Sequence, residues 1–123
     1  MIVVDSCGWL AYLKDTTQAD AYEPYLQDPD LIVPTVVIYE VCKVLRRDIS
    51  EDAAHRAAAL LQGGLVVPLD QLLAMEAAEV SLRQGLAMAD AIVYATAQSF
   101  GARLVTSDEH FAGLPGVEYL AAP

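Results

Sequence analysis

The stretch MADAIVYATA, residues 88–97, is almost wholly apolar and carries a single carboxylate, Asp90, where a helix should begin. Ile92, Val93, Ala95 and Ala97 cover most of a helical circumference. That pattern predicts a helix packed inside the protein rather than lying on its surface. Gly101 stands where such a helix would end in a left-handed residue. A buried helix that opens on an acid needs a reason for the acid. Asp90 either caps the helix, accepting from its first free amides, or holds a cation together with acids from elsewhere in the chain.

Working outward, short apolar runs alternate with helical patterns on both sides of this segment. Ile2-Val3-Val4 reads as a buried strand ending at Asp5-Ser6, followed by a short helix from Gly8 to Lys14 with Trp9, Leu10 and Leu13 inward. Residues 15–20 form a polar connection, 21–26 a short helix and Asp28-Pro29-Asp30 a turn. Leu31-Ile32-Val33 is a second strand. Residues 34–47 are ambiguous by propensity, since Val36, Val37, Ile38 and Tyr39 favour a strand. Helix is the better reading: Pro34 suits a first turn, Val37, Val41, Val44 and Leu45 share one face, and Lys43, Arg46 and Arg47 suit a helix C-terminus. Ser50 caps a helix to Gln62, with Ala53, Ala57, Leu60 and Leu61 inward. Leu65-Val66-Val67 is a third strand, and Asp70 caps a helix closed by Gly85. The helix from about Ala89 to Phe100 then leads into a fourth strand, residues 104–106, with an edge strand expected at 117–120. The pattern predicts an α/β three-layer sandwich in which helices flank a short, mostly parallel sheet. It is read as one domain over residues 1–123.

Composition narrows the function. No apolar run approaches the ~20 residues of a membrane span, so no membrane association is expected. The opening MIVVDSC lacks a basic segment and is not read as a signal peptide. Cys7 and Cys42 form no CxxC pair or zinc spacing. A reduced, cytoplasmic setting is therefore expected, with both thiols behaving as small buried hydrophobes. The net charge is −10 with only seven basic residues, which by itself opposes binding to a polyanion. That objection weakens where metal neutralises some of the acids.

In a parallel sheet the ligand site lies beyond the carboxyl ends of the strands. Asp5 follows the first strand and Asp108 the fourth. The helix opened by Asp90 runs straight back into the fourth strand, so its N-terminus returns beside Asp108. Glu40 borders the buried stripe of its helix. Converging carboxylates repel one another, and hard oxygen ligands suit Mg²⁺ or Mn²⁺. A pair of such ions can activate water and stabilise a leaving oxygen in phosphodiester hydrolysis. Two divalent ions would bring the formal charge from −10 to about −6. Each acid also has an ordinary local role: Asp5 as a helix cap, Glu40 as a partner for Lys43, Asp108 as a turn residue. His110 and His55 are read as solvent-facing.

VVDSCGWLAYL (3–13), VPTVVIYEVCKVLRR (33–47), LAMADAIVYATAQ (86–98) and LVTSDEHF (104–111) together resemble PIN-domain proteins, in particular VapC-type toxins, over essentially the whole chain. The resemblance implies a Mg²⁺- or Mn²⁺-dependent endoribonuclease, a homodimer, silenced by a cognate VapB-type antitoxin. By matching motifs, Asp5, Glu40, Asp90 and Asp108 would form the catalytic and metal-binding acidic quartet. Ser6 and Thr106 would be supporting hydroxyls, and Lys43, Arg46 and Arg47 would contact RNA phosphates or cap their own helix. An antitoxin Arg placed among the carboxylates would substitute for metal. Cys7 stands where these toxins often carry a second small hydroxyl residue. Two other readings compete. A catalytically silent PIN-like binding module would keep the fold only to dock a partner. A haloacid-dehalogenase-like or receiver phosphoryl-transfer domain also ends its first strand in Asp. A dehalogenase-like site wants a second Asp where this chain has Cys7, and a receiver wants a late Lys that residues 104–108 lack.

Overall fold

The computed structural model describes residues 1–122. Five strands form one sheet: β1 (Ile2–Val4), β2 (Leu31–Pro34), β3 (Leu65–Val67), β4 (Arg103–Thr106) and β5 (Val117–Tyr119). Six helices flank it: α1 (Ser6–Leu13), α2 (Ala19–Leu26), α3 (Thr35–Asp48), α4 (Glu51–Leu61), α5 (Gln71–Gln84) and α6 (Met88–Ser99). A single 3-10 turn, Glu109–Phe111, follows β4. The strand order is β3-β2-β1-β4-β5, and every pairing is parallel. All residues of β1 and β2 are buried. A strand buried along its length is covered on both faces, so the helices sandwich the sheet. Receiver-type sheets run in the order 2-1-3-4-5, and this one does not.

The chain first builds outward from β1 through β2 to β3, then crosses back to place β4 on the other side of β1. Between β1 and β4 the direction of winding reverses. In open parallel sheets such a reversal is where loops diverge at the carboxyl ends of the strands and ligands bind. The register Val4↔Val105 brings Asp5 level with Thr106, and the Asp5 amide donates to the Val105 carbonyl at 3.1 Å.

Helix α6 is the buried helix expected from its composition: Ala91 to Ala97 are all buried. Thr96, trapped among them, donates its hydroxyl back to the Ile92 carbonyl at 2.7 Å. Gly101 has φ +63°, the left-handed residue just past the helix end. Asp90 does not cap the helix. Ala87 occupies the cap position without a side-chain bond, and Asp90 is the third helical residue, its carboxylate left for another partner. Pro34 likewise sits one step earlier than expected, closing β2 and preceding α3. In α3, Val37, Val41 and Leu45 bury one face, so tertiary burial overrides the strand propensity of the valines. In α4, Ala54, Ala57 and Leu61 face the core, whereas Leu60 is exposed, correcting the inward set by about one position.

Gly8, in the first turn of α1, marks a close approach. A Cβ there would lie 2.6 Å from Val4 Cγ1 and from Tyr22 Cδ1, with Tyr22 Cε1 nearer still. Tyr22 and Val4 are fully buried and cannot yield cheaply. Gly8→Ala is expected to lose about 1–3 kcal/mol of stability despite the better helix propensity of alanine. An unchanged denaturation midpoint would show that the α1–α2 contact is looser than this packing implies.

Candidate metal centre at the β1–β4 edge

The site begins with Asp5, the residue that leaves β1. It is buried, at 4% exposure. Asp5 Oδ1 accepts from the Ser6 amide at 2.8 Å, and Oδ2 accepts from the Thr106 hydroxyl at 3.0 Å. Thr106 Oγ1 in turn accepts from the Asp108 amide at 3.0 Å. One hydroxyl therefore ties the ends of β1 and β4 together and fixes both acids. Thr106 is itself fully buried, which holds its rotamer.

Asp108 faces Asp90 across the cleft. Its Oδ1 accepts from the His110 amide and lies 2.9 Å from His110 Nδ1. The same Nδ1 is 3.8 Å from Asp90 Oδ2. One ligand atom from each of Asp90, Asp108 and His110 falls within 4.8 Å of the others. Glu40 reaches the cluster from the middle of α3, with Ser6 beside it.

The four acids act on one another's charges. Burial pushes the Asp5 carboxyl up to about 6; the Asp90 and Asp108 charges act in the same direction, while the bonds from Ser6 and Thr106 oppose it. Glu40 is also raised, chiefly by burial and then by Asp5, with smaller effects from Asp90 and Asp108, and the Ser6 hydroxyl works against them. Asp90 is raised by burial and by Asp108, with His110 lowering it. Among the described residues, His110 is the only basic side chain within ion-pair distance of any of the four. Four convergent carboxylates without a lysine or arginine make a donor set of hard oxygens, which fits Mg²⁺ or Mn²⁺. Asp5 is closed off, whereas Asp90, Asp108 and His110 are reached by solvent at the carboxyl ends of β1 and β4. Cavities of about 320 and 340 Å³ lie elsewhere, one under Trp9 and Leu31 and one between α5 and α6.

Behind Asp5 runs a polar relay that sequence patterning does not announce. Cys7 is only partly buried and is not a plain hydrophobe. Its Sγ lies 3.5 Å from Thr106 Oγ1, 3.8 Å from Asp5 Oδ2, and accepts from the Ser107 amide at 3.4 Å. Ser107 Oγ meets Tyr22 OH at 2.5 Å and accepts from Gln18 Nε2 at 3.1 Å. These partners are 85–100 residues apart in sequence. The expected basic contacts are placed differently from one another. Arg46 pairs with Glu51 and Arg47 with Asp48, near the far end of α3. Lys43, one turn from Glu40, lies over the Tyr39 ring at 5.6 Å.

Known proteins share this arrangement of strands. A profile of the PIN domain matches residues 2–117. The chain belongs to the PIN-domain family. Solved PIN structures have the same architecture. A toxin–antitoxin complex from Klebsiella pneumoniae superposes with TM-score 0.84 at 20% identity, covering 99% of this chain and 100% of the other. VapC20 of Mycobacterium tuberculosis, described as a sarcin–ricin-loop-cleaving toxin, gives 0.82 at 22% identity, covering 96% and 98%. A DNA-bound VapBC from Salmonella typhimurium gives 0.76 at 14% identity, covering 98% and 96%. A comparison with curated protein sequences found no match. At these identities the superpositions establish the PIN fold, here spanning nearly the full length of each chain. No described helix is long and apolar enough to cross a membrane.

Proposed function

We propose that this PIN domain is a divalent-metal-dependent endoribonuclease and the toxin of a toxin–antitoxin pair. The observation that carries the reading is the convergence of Asp5, Glu40, Asp90 and Asp108 from separate elements onto one edge, with raised proton affinities at three of them. Such a cluster is unfavourable alone and becomes favourable when a divalent ion occupies it. A bound Mg²⁺ or Mn²⁺ would supply an activated water and neutralise charge developing on the phosphodiester. The chain's own residues do the rest. Thr106 holds Asp5 and the Asp108 loop in register. Ser6 favours the ionised form of Glu40.

Placement at an open edge suits a long polymer better than a small enclosed substrate, and Lys43 is the basic residue best placed to meet a phosphate near Glu40. Arg46 and Arg47 would first have to leave Glu51 and Asp48. Structural neighbours that are themselves toxin–antitoxin complexes support a VapB-type antitoxin as partner. Homodimerisation, a cytoplasmic setting and a single domain over 1–123 belong to the same reading. Its test is metal removal. Purified protein is expected to cleave structured RNA in Mg²⁺, to stop in excess EDTA, and to resume when Mg²⁺ is restored. Cleavage that continues in EDTA would contradict it.

A further inference from the structure

We propose that His110 supplies a nitrogen ligand, Nδ1, to a divalent ion held by Asp90 and Asp108, and that it biases this position toward Mn²⁺ over Mg²⁺. The inference rests on the reading of the acidic cluster as a divalent-ion site and adds to it a residue outside the acidic quartet.

Geometry carries the argument. Around an octahedral ion with bonds near 2.1 Å, adjacent donor atoms stand about 3 Å apart and opposite ones about 4.2 Å. His110 Nδ1 is 2.9 Å from Asp108 Oδ1 and 3.8 Å from Asp90 Oδ2. All three donors lie within 4.8 Å of one another. The His110–Asp108 separation matches adjacent ligands of one ion, and the His110–Asp90 separation falls between the adjacent and opposite values.

The backbone that carries the imidazole is also held in place. Its own amide bonds to Asp108 Oδ1 at 2.9 Å, and the Phe111 amide donates to the Asp108 carbonyl at 3.1 Å. Phe111 is fully buried and stacks on Tyr94, with ring centroids 6.4 Å apart. The backbone on which His110 rides is therefore anchored in the core, while its ring, 76% exposed, makes no ion pair among the described residues except with these two acids. His55, by contrast, sits on the surface of α4 with one acid, Glu51, at 3.9 Å.

Ligand chemistry sets the preference. Mg²⁺ favours oxygen donors and retained water; Mn²⁺ shares much of that oxygen preference but, as a first-row transition ion, accepts an imidazole nitrogen more readily than Mg²⁺ does. A site with a nitrogen donor discriminates between ions that an all-carboxylate site would treat alike.

Pulsed electron paramagnetic resonance of the full chain loaded with one equivalent of Mn²⁺ tests this directly, because a coordinated imidazole imprints a ¹⁴N coupling on the Mn²⁺ signal. The wild type and His55→Gln are expected to show the coupling, and His110→Asn to lose it. In the same series, Mn²⁺ affinity of His110→Asn should fall about tenfold or more, with Mg²⁺ affinity, read by competition, changing less than about twofold. Folding is not at issue, since the ring is exposed and Asn preserves the backbone bond to Asp108. A wild-type signal without ¹⁴N coupling, in a protein whose Mn²⁺ binding is still lost in Asp90→Asn, overturns the role of His110 and leaves the acidic site standing. A wild type that binds neither ion overturns both.

Discussion

Replacing Asp5 by asparagine will stabilise the metal-free protein at pH 8 by about 3 kcal/mol and leave its stability nearly unchanged at pH 4. The sign follows from linkage. The Asp5 carboxyl is raised from its ordinary value to about 6, first by burial and then by its acidic neighbours. Between roughly pH 4 and 6 the folded protein thus holds a proton that the unfolded chain has released. Stability contributed by this group is highest below that window and falls as pH rises through it. Above pH 6 the full penalty of a buried, repelled carboxylate stands. Asparagine is nearly isosteric with the protonated acid. It keeps an acceptor for the Ser6 amide and presents its amide nitrogen to Thr106 Oγ1, so it resembles the low-pH wild type at every pH. Glu40 and Asp90 are raised in the same direction, so they add to the wild type's loss of stability with rising pH. Denaturant titrations of both proteins in EDTA at the two pH values check this. A gain of equal size at both, or a loss at pH 8, would mean that Asp5 is not a strained acid.

Asp90→Asn carries the second large effect. Because Ala87 rather than Asp90 occupies the cap position of α6, the substitution removes no helix-capping bond and leaves the fold intact. What it removes is a negative oxygen facing Asp108 and His110. An ion's contribution to phosphodiester hydrolysis is worth several kcal/mol, so RNA cleavage is expected to drop at least about 100-fold. Ion-linked stability should fall with it. At a concentration a hundred times its dissociation constant, a ligand stabilises the native state by about 2.7 kcal/mol. The wild type is expected to gain on that order from Mn²⁺ in a thermal melt, and Asp90→Asn to lose most of the gain. Cleavage and Mn²⁺ stabilisation both equal to wild type would place the activity elsewhere.

The architecture is legible in the sequence because short apolar strands and periodic helices alternate without interruption, and because each strand end is punctuated. Asp5 after Val4 and Asp108 after Thr106 mark the carboxyl edge of the sheet by their position alone. The return of α6 into β4 is enough to bring Asp90 back beside Asp108. Helix α3 is readable against its propensity because Val37, Val41 and Leu45 recur at helical spacing. What stays hidden depends on packing between distant segments. Nothing near Cys7 signals Tyr22 or Ser107, so the relay behind Asp5 leaves no local trace. Gly8 does carry a usable signal, since glycine inside a short helix costs stability unless a neighbour needs the space. His110 is the subtler case. An exposed loop histidine looks like solvent decoration, and only the turn that begins at Asp108 brings its ring toward Asp90.

Crystals grown with Mn²⁺ and measured at the manganese absorption edge test the central claim most directly. An anomalous peak is expected about 2.1 Å from carboxylate oxygens of Asp90 and Asp108, with oxygens of Asp5 and Glu40 reaching it directly or through one water. Well-diffracting crystals with no peak among these four acids, or with manganese only at other surfaces, would contradict the account.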